Sequence, residues 1–350
     1  MNLLSVLQDA VKKRASDIFL IIREPVAFKI QGVITRQDME VLTAEQILVF
    51  IQELYKLAGE RSLDMLQEGD DDFAISLTGI GRFRVNVFKQ RGTLSAVLRV
   101  VSFHLPPREE YGIPDAVIHL GNYKKGLVLI TGSAGSGKST TLSYLIDEIN
   151  SNRNCHILTL EDPIEFLHRH KKSIVSQREI GIDTPNYSKG LRAAMREAPD
   201  VIFIGEMRDL ETIEIAMTAA ETGHLVLSTL HTIGAANTID RIIDVFPSSQ
   251  QQQIRIQLSM VLNSIVSQQL LPGTHGLEPA FEILEANSAI RTMIRDGKVH
   301  QIDSVIYSSA REGMVSMDSS ILSLYKQGKI DKQTALTYSL NQDSMRRNLN

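Results

Sequence analysis

One cysteine, no tryptophan and an aromatic content of only 5% mark this 350-residue chain. The lone Cys155 excludes an internal disulfide and any multi-cysteine zinc site, suits a reducing cytoplasm, and reads as a small core residue. Lys and Arg number 37 against 41 Asp and Glu, a net charge of −4. Without a basic excess, nucleic acid is not expected as a partner. Uninterrupted apolar runs fall short of the ~18 residues a membrane span needs. The opening Met1-Asn2-Leu3-Leu4 also has no basic region ahead of its apolar residues. Neither a signal peptide nor a transmembrane helix is therefore expected. Low-complexity sequence is limited to Gln250-Gln251-Gln252-Gln253, which reads as a solvated helix face.

What the chain does have is a stretch, Gly132-Ser133-Ala134-Gly135-Ser136-Gly137-Lys138-Ser139-Thr140, that fits G-x-x-x-x-G-K-[ST]. The apolar run Leu127-Val128-Leu129-Ile130-Thr131 before it reads as a buried strand, and a helix is predicted from about Ser139 to Asn150. Glycines at 132, 135 and 137 let successive amides turn inward as a nest for phosphate oxygens. Lys138 can reach the β and γ phosphates of a nucleotide, and Ser139 can place its hydroxyl on Mg²⁺. The helix N-terminus adds its positive dipole end.

Ahead of this loop the spacing predicts a helix from Leu3, strands at Asp17–Ile22 and Val26–Ile34 with a turn at Gln31-Gly32, and a capping box of Thr43 and Gln46 opening a helix to about Leu57. A further short helix is predicted around Arg61–Leu66, then strands at Asp72–Leu77, Gly81–Phe88 and Thr93–Val101. The alternation in Arg82-Phe83-Arg84-Val85 makes one strand face apolar and the other basic. This describes a small α+β domain over 1–104. Residues 105–122, opening on Leu105-Pro106-Pro107-Arg108, break both periodicities and read as a linker.

Residues 123–350 carry apolar runs at His156–Leu160, Val201–Ile204 and His224–Thr229, alternating with helical segments. That pattern predicts an α/β domain with a parallel sheet covered on both faces, its ligand beyond the strand C-terminal ends. Further on, Gln250–Leu270 reads as one helix, Ser288–Asp296 as another, and the polar residues after Gln342 as a mobile tail.

Hydrolysis of a bound triphosphate needs a metal, a group acting on water and positive charge near the transition state. The strand ends supply candidates. Glu161, in Leu160-Glu161-Asp162-Pro163, could act on the metal, and Glu206, in Gly205-Glu206-Met207-Arg208-Asp209, could activate water. His224 and His231 bracket the strand between them and could contact the γ phosphate or relay the nucleotide state. Taken singly, Glu161 also fits an acidic surface turn, Glu206 a helix cap, and each histidine a packing role. Two histidines at the ends of one strand do not make a metal cluster.

Together, Gly-x-x-Gly-Ser-Gly-Lys-Ser-Thr, Leu160-Glu161-Asp162-Pro163-Ile164-Glu165-Phe166, Gln177-Arg178-Glu179, Gly205 to Ile213, Thr222-Gly223-His224 through His231-Thr232, and Thr238 to Pro247 resemble the secretion ATPase superfamily, in particular its pilus-retraction branch. The similarity extends from Ala15-Ser16-Asp17 to Ala289-Ile290-Arg291 and Ile294-Arg295. It implies a RecA-like ATPase domain after a PAS-like domain, a cytoplasmic homo-hexameric ring using ATP and Mg²⁺, and a membrane reached only through an inner-membrane platform protein. It also implies a metal-linked role for Glu161 beside Ser139, a catalytic carboxylate at Glu206, a motif containing His224 and His231, and nucleotide-facing arginines at Arg82, Arg84 and Arg99. The chain departs from the pattern at Ile18, where histidine is usual, at Ala198, and at Thr292-Met293, where Asn-Leu is typical. Besides retraction, two readings stay open: an assembly or secretion ATPase, and a nucleotide-dependent regulatory protein with little turnover.

Overall fold

The computed structural model describes residues 2–30, 32–59, 69–101, 105, 107–274, 276–309 and 313–349. Two compact units emerge, one of Met1–His104 with Glu165–Leu167 and the other of Leu105–Ile164 with His168–Asn350. No helix among the described residues is long and apolar enough to cross a membrane.

In the first unit, α1 (Leu3–Lys12) and α2 (Ala44–Leu57) pack on a six-stranded antiparallel sheet. Its strands are β1 (Asp17–Leu20), β2 (Ala27–Ile30), β3 (Val33–Arg36), β4 (Asp70–Leu77), β5 (Gly81–Gln90) and β6 (Thr93–Val101), in the order β3-β2-β1-β6-β5-β4. The capping box forms as the residues dictate: Gln46 N–H donates to Thr43 Oγ1, and the Gln46 side chain accepts from Thr43 N–H. Alternation in β5 buries Phe83, Val85 and Val87 against the helices and leaves Arg82, Arg84 and Asn86 on the other face. The segment Val26–Ile34, expected as strand with a turn at Gln31-Gly32, contributes to two strands, β2 and β3, paired as a hairpin. The helix expected at Arg61–Leu66 lies outside the described residues.

The second unit is built on a seven-stranded sheet in the order β13-β12-β7-β11-β10-β8-β9. It comprises α3 (Asp115–His119), β7 (Gly126–Thr131), α4 (Lys138–Asn152), β8 (His156–Glu161), β9 (Ile174–Glu179), α5 (Tyr187–Ala194), β10 (Val201–Ile204), α6 (Leu210–Glu221), β11 (Leu225–Leu230), α7 (Ala235–Asp244), α8 (Ser248–Val261), β12 (Leu262–Gly273), β13 (Gly276–Glu285), α9 (Ser288–Arg295), α10 (Ile302–Ser308), α11 (Met317–Lys326), α12 (Lys332–Tyr338) and α13 (Gln342–Asn348). All neighbours are parallel except β12 with β13. Successive residues of β7 serve opposite faces. Leu127 and Leu129 pack with α5 to α10, while Val128 and Ile130 pack with α3 and α4. This is the doubly covered parallel sheet expected from apolar runs alternating with helices.

Four expectations need correction. Residues 105–122 are not a bare linker: Ile113, Val117, Ile118 and Leu120 are buried in the core beside α4. The predicted helix Gln250–Leu270 stops at Val261, and Leu262 onward is β12, a central strand between β7 and β13. A run buried on both faces carries no period that separates strand from helix. Edge strand β9 carries no apolar run to mark it, since four of the six residues of Ile174–Glu179 are polar. The expected mobile tail is α13, anchored by buried Met345 and Leu349 against α11 and α12. Cys155 is half-buried rather than enclosed, with Sγ 3.2 Å from Ser173 Oγ.

Candidate nucleotide site

Strands β7, β11, β10 and β8 are neighbours running the same way, so residues following each come out along one edge. Gly132 follows β7, His231 follows β11, Glu206 lies two past β10, and Glu161 ends β8. Sequence positions far apart are gathered there by parallel pairing alone. Cross-links hold the edge together: Gly205 N–H donates to Leu160 O at 2.7 Å, and Thr229 Oγ1 to Gly205 O at 2.6 Å.

The glycines of the loop are dictated by space and by φ. A Cβ on Gly132 (φ 145°) would collide with the carbonyl oxygen of Gln268, and one on Gly137 (φ 89°) would come within 2.9 Å of Gln268 Nε2. Gly137 is also the residue from which α4 starts. Ser136 Oγ is buried and has no hydrogen-bond partner. An orphan hydroxyl in a glycine cradle at a helix N-terminus fits a phosphate group, which would supply the missing acceptor.

Lys138 is 7% exposed, and its ammonium donates to Gly132 O and Ser133 O, both at 2.8 Å. The same Nζ is 3.4 Å from His231 Nδ1, whose Nε2 is 3.1 Å from Glu206 Oε1. Arg208 Nε donates to the other oxygen, Oε2, at 2.7 Å, and this pairing raises the already high guanidinium pKa. Glu206 thus stands at the centre of a chain of contacts that begins at the phosphate loop.

Glu161 is buried, its Oε1 accepting from Thr159 Oγ1 at 2.6 Å and Gln177 Nε2 at 3.0 Å. Among the described residues no cluster of three or more metal-ligating side chains occurs. Mg²⁺ takes most of its ligands from phosphate and water, so it needs no such cluster of protein ligands. The peptide bond Asp162-Pro163 beside Glu161 is cis.

Not every candidate joins this edge. His224 precedes β11, so its six residues hold it roughly 20 Å from His231. There Nδ1 lies 3.0 Å from Ala219 O, finishing α6 instead of facing the loop. Of the two histidines that could contact the γ phosphate, His231 reaches the loop and His224 does not within this chain. Arg82, Arg84 and Arg99 belong to the first unit. Arg84 stands directly across from Arg99 in the β5–β6 ladder, and both line a cavity of about 180 Å³ with Asp17, Asp72 and Asn86. Arg99 Nε donates to Asp17 Oδ1 at 3.2 Å, and Arg82 Nη1 to Ser76 Oγ at 3.3 Å.

Sequence reasoning missed two neighbours of the site. Tyr187 at the start of α5 puts its hydroxyl where a Cβ on Gly205 would need to be. Burial, then the charges of Asp162 and Glu206, push its phenol pKa well up, so it stays protonated beside the carboxylates. Gln268 of β12 lies beneath the phosphate loop. Neither carries a local motif that would have flagged it.

A family model described as "Type II/IV secretion system protein" matches residues 2–342. The chain is 40% identical to the type IV pilus retraction ATPase PilT of Pseudomonas aeruginosa over 336 residues, covering 96% of this chain and 97% of that one. It is 47% identical to a twitching motility protein of Neisseria gonorrhoeae over 277 residues, 78% of this chain and 74% of the relative. A crystal structure of the pilus retraction motor PilT with bound ADP superposes with a TM-score of 0.88 at 44% identity, covering 99% of both chains.

Proposed function

The chain belongs to the type II/IV secretion system protein family, and from that we propose that it is an ATP-hydrolysing motor that powers type IV pilus retraction. The observation that carries the proposal is the line of contacts from Lys138 through His231 to Glu206. It joins a phosphate-binding loop to a carboxylate able to act on water, which is the minimum an ATPase requires.

In this reading the amides of Gly132–Thr140 and the hydroxyl of Ser136 receive the triphosphate, and Lys138 exchanges two loop carbonyls for phosphate oxygens. Glu206 accepts the proton of the attacking water. Ser139 and Glu161 would hold Mg²⁺, which would supply positive charge to the triphosphate. Arg82, Arg84 and Arg99 are assigned to the nucleotide as further positive charge. His224, remote from the loop in its own chain, is assigned to reporting the nucleotide state to neighbouring subunits. The working form is a homo-hexameric ring at the inner face of the cytoplasmic membrane, acting on the pilus through an inner-membrane platform protein.

Three measurements test this. Phosphate release from ATP should be magnesium-dependent in the wild type and nearly absent in Glu206→Gln. Equal, near-zero rates with nucleotide binding retained would leave a regulatory binding protein. Deleting the gene should give hyperpiliated cells that do not move on surfaces, whereas bald cells would point to assembly. Light scattering should find a particle about six times the 39.0 kDa chain mass when nucleotide is present.

A further inference from the structure

Gln268 is an unusual side chain for the middle of a central strand. It is 4% exposed and sits between apolar Val266 and Leu270 on β12. A carboxamide buried at such a position is costly unless its polar atoms are used. Its oxygen is used: Oε1 accepts from Thr141 Oγ1 at 2.8 Å, in the first turn of α4. Nε2 fills the space a Cβ on Gly137 would take, and the Gln268 carbonyl does the same at Gly132. One residue of β12 therefore touches both ends of the phosphate loop and the helix that follows.

Its neighbour extends the grip. Ser267 points to the opposite face by strand alternation, is fully buried, and its Oγ accepts from Gly234 N–H at 2.9 Å. Gly234 is three residues beyond His231. Consecutive residues of a single strand thus hold the phosphate loop on one face of the sheet and the His231 loop on the other.

We infer that Gln268 is a positioning residue for nucleotide binding, holding the loop Gly132–Gly137 and the start of α4 in the shape that presents their amides to phosphate. The inference rests on the reading of this loop as the nucleotide site. Its physical content is preorganisation: a loop already held in its bound form loses less freedom when phosphate arrives. A Leu or Met in place of Gln268 would fill the strand but release Thr141 and α4.

The test is ADP affinity, measured by titration calorimetry well below the melting temperature, in wild type, Gln268→Ala, Gln268→Met, Thr141→Val and the double variant Gln268→Ala/Thr141→Val. Each single variant should bind ADP about tenfold more weakly, the scale of one hydrogen bond to a preorganised group. The double variant should lose no more than about twofold beyond a single one, because both deletions remove the same bond. Thr141→Ser, which keeps the hydroxyl, should recover most of the affinity lost in Thr141→Val. Wild-type affinity in Gln268→Met and Thr141→Val, with melting temperatures lowered or not, would overturn the inference and leave a packing residue. Additive losses in the double variant would overturn it as well. If Gln268→Ala does not fold, Thr141→Val and Thr141→Ser decide alone. A wild-type protein that binds no ADP would instead refute the nucleotide-site reading itself.

Discussion

His231 Nε2 lies 3.1 Å from Oε1 of Glu206, and the opposite nitrogen of the same ring lies 3.4 Å from the ammonium of Lys138. With the ring proton on Nε2, the imidazole donates to the carboxylate and accepts from the lysine at once. Both oxygens of Glu206 are then engaged, one by His231 and the other by Arg208. Each oxygen keeps a second lone pair, through which a water molecule can donate to the carboxylate.

Replacing Glu206 by Gln keeps the shape and both neighbours but removes the base. The rate of ATP hydrolysis should fall by about 10²–10⁴, the usual worth of a positioned base. ADP affinity should stay within about threefold, since no phosphate contact is assigned to this side chain. Phosphate-release assays and ADP titration on the same preparation check both halves.

Lys138→Ala should act the other way round. The ammonium already lies at the loop, 2.8 Å from two of its carbonyls, so its loss removes a phosphate contact made in ground and transition states alike. ADP affinity should fall by at least about tenfold. Unchanged affinity would contradict the assignment.

His168, half-buried just after the Glu165–Leu167 segment, has its pKa lowered from 6.5 to about 4, chiefly by burial, with Asp147 opposing and Lys171 adding to the shift. A base with a depressed folded value is protonated first in the unfolded chain, so its contribution is complete above pH 6.5 and lost as pH falls towards 4. The melting temperature should drop across that window, and His168→Gln should drop less. Melting curves of both proteins at several pH values between these limits measure the difference.

Glu282 gives the opposite slope. Buried on β13, it accepts from Ala235 N–H at 2.7 Å at the start of α7, yet burial outweighs that bond and raises its pKa above 4.5. The folded chain binds the proton more tightly than the unfolded one, so stability falls as pH rises from 4.5 through the folded value. Glu282→Gln retains an oxygen for Ala235 and should melt higher than wild type at pH 7. The gap should close near pH 4, which paired melting curves would reveal.

Some of this molecule is determined by residues close together in the chain. The phosphate loop is local: glycines at 132, 135 and 137, a buried strand before and a helix after, each readable because backbone conformation and periodicity are short-range properties. The Thr43 and Gln46 cap and the alternation of β5 are readable for the same reason. The candidate carboxylates were found because they follow apolar strands, and strand ends are where a parallel sheet exposes its chemistry.

Tertiary structure decided what spacing could not. Strand β12 is buried on both faces, so its sequence has no period to distinguish it from a helix, and Gln268 acquires meaning only when strand pairing lays it under a loop more than a hundred residues earlier. His224 and His231 bracket one strand in the sequence. The direction of β11 separates them, carrying His231 to the edge shared with Gly132 and Glu206 and leaving His224 at the other, because a strand has two ends and only one of them faces the ligand.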